Sequence, residues 1–325
     1  QVLKKERLDA FIIPQADQWQ SEHPEDGDQR LHYITGLNAS AGYAVITMDK
    51  ACVLIDSRYS VSAKEQIDTN LFSIEYYTQI SPEQWAIDNI ATNGVIGYDP
   101  WLHTKKQAKQ ILETCKKHNI PLHAVSQNPI DSIWEQQPLP SQQSAILHQL
   151  CHSGETVDEN FARLYTTLKE DNIDSIIFTA PDVLAWLLNL RTIDRPASPG
   201  IKGYGIFECA IKTLTVFTNV DCTEFPHDQT QTFEVDFLPL DDFPMAIHHF
   251  EQKDQIIQIS DQAPDWFAEH LNCPICTVIE KDDPCEVFKA IKNETEQNGI
   301  RSSHQRDADA IKEVISWIKK EEDLS

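Results

Sequence analysis

The feature that most limits what this chain can fold into is a repeat, because the second half restates the order of the first. Leu8-Asp9-Ala10-Phe11-Ile12-Ile13 is matched by Ile173-Asp174-Ser175-Ile176-Ile177-Phe178. Leu31-His32-Tyr33-Ile34-Thr35-Gly36-Leu37 is matched by Leu184-Ala185-Trp186-Leu187-Leu188-Asn189-Leu190. Two β-rich runs follow in each half, at 43–48 and 51–55 and again at 205–210 and 214–217. Residues 95–98 then match 256–259, and Asn128-Pro129-Ile130-Asp131-Ser132-Ile133 matches Asp283-Pro284-Cys285-Glu286-Val287-Phe288. An offset of about 150–165 residues is the size of a domain and far above a solenoid period, so a whole domain is duplicated.

Within the first copy, short apolar runs at 11–13, 43–48, 51–55, 72–77 and 95–98 read as strands. The pair flanking Asp49-Lys50 reads as a hairpin. Residues 61–66, 83–90 and 105–118 read as helices, the last with Ala108, Ile111, Leu112 and Cys115 on one face. The expected fold class is therefore α/β, with two tandem domains built on mixed sheets. The prolines of Gln136-Gln137-Pro138-Leu139-Pro140-Ser141 remove backbone donors and mark the break. The division is 1–137, 138–286 and a third, charged and helical piece at 287–325. That piece carries Ile311, Val314, Ile315 and Ile318 at helical spacing, a stripe that must be buried against something. With Gln1 at one end and no stop signal before Ser325 at the other, the chain is expected to be a truncation.

Charge narrows the function classes. Lys and Arg total 27 against 51 Asp and Glu, a net charge of −24, which argues against nucleic-acid and anionic-membrane surfaces. No apolar run approaches the ~18 residues of a membrane span. Hydrophobic residues make up 41% of the chain, enough for real cores. Eight cysteines without an apolar leader read as reduced, mostly buried thiols of a cytoplasmic protein.

Residue-level chemistry is sparse. Cys273-Pro274-Ile275-Cys276 has thiol-oxidoreductase spacing but runs into a strand pattern, Thr277-Val278-Ile279, where a reactive thiolate needs a helix N-terminus. Adding His270 and Cys285 would make four zinc ligands, without the tight paired spacing of a knuckle. His248-His249 reads as a strand end rather than a ligand pair. The glycines of 200–205 and 36–42 precede strands, not helices, so neither reads as a phosphate cradle. Asn38-Ala39-Ser40 and Asn293-Glu294-Thr295 fit the glycosylation triplet by chance, and Asp241-Asp242 and Asp282-Asp283 read as solvated loops. No nucleophile–base set can be assembled from these residues.

One ordered set of motifs is more specific. Asp17-Gln18-Trp19-Gln20-Ser21-Glu22, then Arg30-Leu31 and Thr35-Gly36-Leu37-Asn38-Ala39-Ser40-Ala41-Gly42, then Asp56-Ser57-Arg58-Tyr59, resembles the N-terminal region of aminopeptidase P, the Xaa-Pro aminopeptidases of peptidase family M24. That family shows Ser-Glu-Tyr, Gly-Phe-x-Gly-Ser-Ala-Gly and Asp-Gly-Arg-Tyr in this order. Asp182-Val183-Leu184-Ala185-Trp186-Leu187-Leu188-Asn189-Leu190-Arg191, residues 284–292 and residues 294–317 also fit, so the resemblance covers nearly the whole chain. His23, Leu37, Asn38-Ala39 and Ser57 depart from it. Where Ser57 replaces Gly, the turn before Arg58 is expected to differ, because Gly often marks positive φ.

The resemblance implies the long three-domain form: two creatinase-like, ribonuclease-H-like N-terminal domains, then a pita-bread catalytic domain whose first helix is 294–317. It implies no catalytic or metal residue in this fragment, which would be inactive alone. A dinuclear manganese or zinc site in the missing domain would activate a shared water and stabilise the oxyanion. The substrate would be a peptide with proline in second position, and the full-length protein would be a homodimer, the fragment a monomer. Arg191 is the residue the resemblance brings near the substrate rim, with a structural ion pair as its ordinary alternative. The competing reading is a catalytically dead acidic module of histone-chaperone type that attracts basic proteins.

Overall fold

Each half of the chain builds a six-stranded mixed sheet, and the two sheets share one strand order and one set of strand senses. The computed structural model describes residues 1–320 apart from 195–197, 228–229, 251, 253 and 273. In the first half the order along the chain is α1 (Val2–Lys5), β1 (Ala10–Pro14), α2 (Arg30–Thr35), β2 (Tyr43–Thr47), β3 (Ala51–Ile55) and α3 (Ser62–Gln66). It continues with β4 (Ser73–Tyr76), α4 (Pro82–Asp88), β5 (Ile96–Tyr98), α5 (Lys105–Lys117) and β6 (Leu122–Ala124). These strands lie in the order β4-β3-β2-β1-β5-β6.

The second half opens with β7 (Ala145–Leu147), α6 (Leu150–Ser153), α7 (Val157–Glu170), β8 (Ser175–Phe178), α8 (Pro181–Leu187) and β9 (Leu190–Thr192). It continues through β10 (Gly203–Glu208), β11 (Thr213–Thr218), β12 (Glu234–Leu238), α9 (Phe243–Phe250), β13 (Ile256–Ile259) and α10 (Trp266–His270). β14 (Thr277–Glu280), α11 (Pro284–Ala290) and α12 (Glu294–Lys320) complete it. The second sheet runs β12-β11-β10-β8-β13-β14, with β7 and β9 forming a separate antiparallel ribbon. In both sheets the hairpin is antiparallel to the central strand (β1 or β8), and the strand on its other side (β5 or β13) is parallel to it.

The local physics repeats with the topology. Arg7 and Asn172 both take positive φ, 57° and 56°, just before the central strand. Asp9 Oδ2 then accepts the Val95 amide at 2.8 Å, and Asp174 Oδ2 accepts the Ile256 amide at 2.9 Å. After α2 and α8 the left-handed residue is Gly36 (φ 76°) in one copy and Asn189 (φ 50°) in the other, the two residue types that tolerate it best. Asn128 and Asp283 each accept the amide two residues on, at 2.9 and 2.8 Å. Side chains alternate across β1 as its period of two requires. Phe11 and Ile13 join Leu31 and Val53 on one face, and Ala10 and Ile12 join Val45, Leu54 and Trp85 on the other. In the second sheet Phe161, Phe178 and Phe207 fill one face, and Tyr204, Phe217 and Phe267 the other.

One expectation is corrected. His248 and His249 lie in α9, not at a strand end, because Phe243, Ile247 and Phe250 at helical spacing bury one face and override the short apolar run. Ser57 does not take positive φ. It opens a 3-10 turn capped by Asp56, whose Oδ1 accepts the Arg58 amide at 2.9 Å. The stripe on α12 is not buried among the described residues: Ile311, Val314, Ile315 and Ile318 are all about half exposed. α12 is anchored at its start, where Asn293 Nδ2 donates to Ser153 O at 2.7 Å. The boundary expected at 286/287 falls inside α11. Cys52, Cys115, Cys209, Cys222 and Cys285 are buried thiols, Cys151 is exposed, and Cys273 lies outside the described residues.

Candidate functional site at the domain junction

Ligand crevices in open α/β sheets form beyond the carboxyl ends of strands where the chain switches direction. Here the loops after β1 and β5 meet those after β8 and β13. Lys105 and Lys106 amides donate to Ala263 O and Asp261 O, and Trp266 N donates to Pro100 O. Trp101 stacks on Trp266 with ring centroids 4.4 Å apart. Tyr98 Oη bonds the Asp265 carboxylate at 2.5 Å, and burial together with that carboxylate raises the phenol's pKa.

At the centre of the junction Lys202, from the loop before β10, reaches into the first domain. Its Nζ lies 3.0 Å from Glu25 Oε1, 3.4 Å from Asp17 Oδ2 and 4.0 Å from Asp28 Oδ2. It also sits 4.8 Å from the Trp19 ring centre. Asp17 is fully buried and spends Oδ1 on the Trp19 and Ser21 amides. Glu25 takes the Ser141 amide at 3.0 Å and Gln143 Nε2 at 3.0 Å, which ties the proline-marked connection to the same cluster. Burial pushes the Glu25 carboxyl up, but the Ser141 amide and Lys202 outweigh it and leave it lowered. Asp28 is raised, by burial first and then by the like charge of Asp17.

Beside this cluster opens a cleft of about 820 Å³, walled by the β8 and β13 ends, α8, α11 and the Trp19–Glu22 loop. Arg191, on β9, lines it. The expected ion pair is absent: among the described residues Arg191 forms no salt bridge, and its Nη1 donates instead to Ala185 O at 2.7 Å and Leu190 O at 2.8 Å. Burial lowers its pKa, opposed by the more distant Glu296 and Asp182. Asp283, on the same wall, is pushed up to about 6 by burial.

The residues present do not fit a dinuclear metal. The gathering of Asp17, Glu25 and Asp28 is filled by the Lys202 ammonium, and among the described residues no group of three His, Cys, Asp or Glu side chains is arranged to hold an ion. His249 Nδ1 is engaged with Met245 O at 2.8 Å.

Two family models, both described as Creatinase/Prolidase N-terminal domain, match residues 1–128 and 136–296. The chain belongs to the creatinase/prolidase family. The motif-based resemblance to aminopeptidase P, of peptidase family M24, is borne out with it. A probable Xaa-Pro aminopeptidase P of Aspergillus niger is 29% identical over 99% of this chain and 54% of its own length. One from Pyrenophora teres is 28% identical over 98% of this chain and 50% of its own length. The chain thus spans about half the length of the curated relatives it matches. The crystal structure of X-prolyl aminopeptidase from Caenorhabditis elegans, described as a cytosolic enzyme with a di-nuclear active site, superposes with a TM-score of 0.86. It is 24% identical, over 97% of this chain and 52% of that one.

Sequence reasoning placed Arg191 but missed Asp17, Glu25, Asp28 and Lys202 as one cluster. Asp17 and Lys202 are 185 residues apart, and both sit in stretches that read as polar or glycine-rich loops. The one local signal was five acids within the twelve residues 17–28.

Proposed function

We propose that this chain is the non-catalytic, N-terminal part of a metal-dependent Xaa-Pro aminopeptidase, which hydrolyses the bond between a peptide's first residue and a second-position proline. The observation that carries the reading is the pair of creatinase/prolidase N-terminal domains, filling nearly all of this chain and about half of relatives named for that activity. In this reading residues 1–137 and 138–286 are scaffold domains of ribonuclease-H-like fold, and 287–325 opens the catalytic domain. The exposed stripe of α12 supports it, since an apolar face of this kind is covered in a finished fold. Manganese or zinc would belong to the parent beyond these residues. The chain's own part is to hold the rim and narrow access, with Arg191 on the cleft wall as the substrate-adjacent residue. The parent would be cytoplasmic, and a homodimer. No helix among the described residues is long and apolar enough to cross a membrane.

The test compares residues 1–325 with a protein extended through the downstream reading frame, both given Mn²⁺ and matched peptides with Pro or Ala in second position. Cleavage of the Pro peptide by the extended protein alone is expected. Failure of both to cleave, with salt-sensitive binding of basic proteins, would replace this reading with the acidic-module alternative, which the likenesses do not favour.

A further inference from the structure

The cleft beside Arg191 has a pattern of spent and unspent charge that names a ligand. Its volume of about 820 Å³ lies within the range of pockets that take small ligands, roughly 300–1,000 Å³. Two of its cations are already committed: Lys202 to Asp17 and Glu25, and Lys289 to Asp182 and Glu286. Arg191 is different. Nη1 holds two carbonyls, while Nε and Nη2 have no partner among the described residues. A guanidinium offering one such edge matches a carboxylate, which it can hold by two parallel hydrogen bonds. Glu22 and Asp282, both exposed and without an ion pair among the described residues, also line the cleft. Arg191 and Lys292, the cleft cations without an ion pair among the described residues, stand among six carboxylates, which in a chain of net charge −24 disfavours phosphates and other multiply charged anions. That balance suits a chain with one carboxylate at one end and positive charge at the other. Trp19 and Trp186 give the walls an apolar, aromatic portion.

We propose that this cleft binds a short peptide by its free C-terminal carboxylate, with Arg191 as the anchor and Glu22 and Asp282 facing the positive end. The proposal rests on the aminopeptidase reading for its choice of a peptide and assigns the carboxylate anchor to Arg191. Ligand here would hold α8, β9 and the start of α11 together, because those elements form its walls.

The experiment is a calorimetric titration of residues 1–325 with Ala-Pro-Ala-Ala as the free acid, the C-terminal amide and the N-acetylated form. The acid is expected to bind at the millimolar level or better, and the amide at least roughly tenfold more weakly. Arg191→Gln should erase the preference for acid over amide, and Arg191→Lys should keep part of it. Arg191 also supports two carbonyls, so a second variant guards against simple unfolding. Val287→Trp, at a 58%-exposed position on the cleft wall, should fill the space and abolish binding with the melting temperature unchanged. Equal binding of acid and amide, no binding at millimolar peptide, or full binding by Val287→Trp would each overturn the site. Absent binding alongside Pro-peptide cleavage by the extended protein removes the site and spares the aminopeptidase reading. Acid-selective binding without such cleavage keeps the site and removes that reading.

Discussion

The two domains share a strand order but differ in what occupies the space beyond their strand ends. In the first domain that space is a smaller cleft of about 500 Å³ whose ions and amides are paired among themselves. Arg30 pairs with Asp131 through two bonds of 2.8 and 3.0 Å and with Asp28 at 3.2 Å, and Asn128 Nδ2 donates to Asp99 at 2.8 Å. In the second domain the corresponding space is the larger cleft, where Arg191 has unspent donors and Asp283 carries a raised pKa. The backbone devices are conserved between copies to within 0.1 Å, as at Asp9 and Asp174, while the crevice chemistry has diverged. Topology thus sets where a crevice forms, and the side chains at its mouth decide how large it is and how much of its charge is left unpaired.

The largest expected effect comes from the cation that joins the copies. Lys202→Met leaves Asp17 and Glu25 buried without compensation and should cost roughly 3–5 kcal/mol in urea denaturation. Asp131→Ala, in the more exposed Arg30 pair, should cost about 1 kcal/mol or less. Comparable losses would mean that the junction is no more tightly coupled than the surface.

Acidity should separate the copies next. His103 in the first domain is fully buried and held down to about 4 by desolvation, against 6.5 when free. Between those values the unfolded chain binds more protons, so stability falls as pH drops from 6.5 towards 4, by up to roughly 3 kcal/mol. Asp283 has the opposite sign. Its folded pKa of about 6 exceeds the free 3.8, so the folded state binds more protons and stability falls as pH rises from 4 to 6. Urea midpoints across pH 4–7 should show the first slope removed by His103→Gln and the second by Asp283→Asn.

Smaller effects probe the equivalence itself. Asp9→Ala and Asp174→Ala each remove the acceptor of a strand amide and should each cost roughly 1–2 kcal/mol, nearly equally. A large difference in melting would show that matched geometry hides unequal energetics. Gly36→Ala should cost about 1 kcal/mol, since φ is +76° and the new Cβ would lie 3.1 Å from Gln66 O.

Much of this was legible from the residues alone. The strands at 10–14, 43–47 and 51–55, the hairpins and the duplication follow from apolar runs of the right length and from restated order, which are local signals. The α9 helix was missed because eight residues with apolar side chains at several spacings fit either period, and burial of Phe243 and Ile247 decided between them. Arg191 was named as a site residue, yet its partners were not, because carbonyl acceptors leave no trace in side-chain identity.

By itself the sequence determined the two-domain α/β order, the family through its motif spacing, and the acidic character of the chain. Only the tertiary structure decided that Asp17, Glu25 and Asp28 converge on Lys202, that Trp101 stacks on Trp266, and that the second crevice is the larger. The physical reason is range. Periodicity and turn chemistry act over a few residues and can be read in line, whereas burial and charge pairing depend on which distant loops the two sheets bring together.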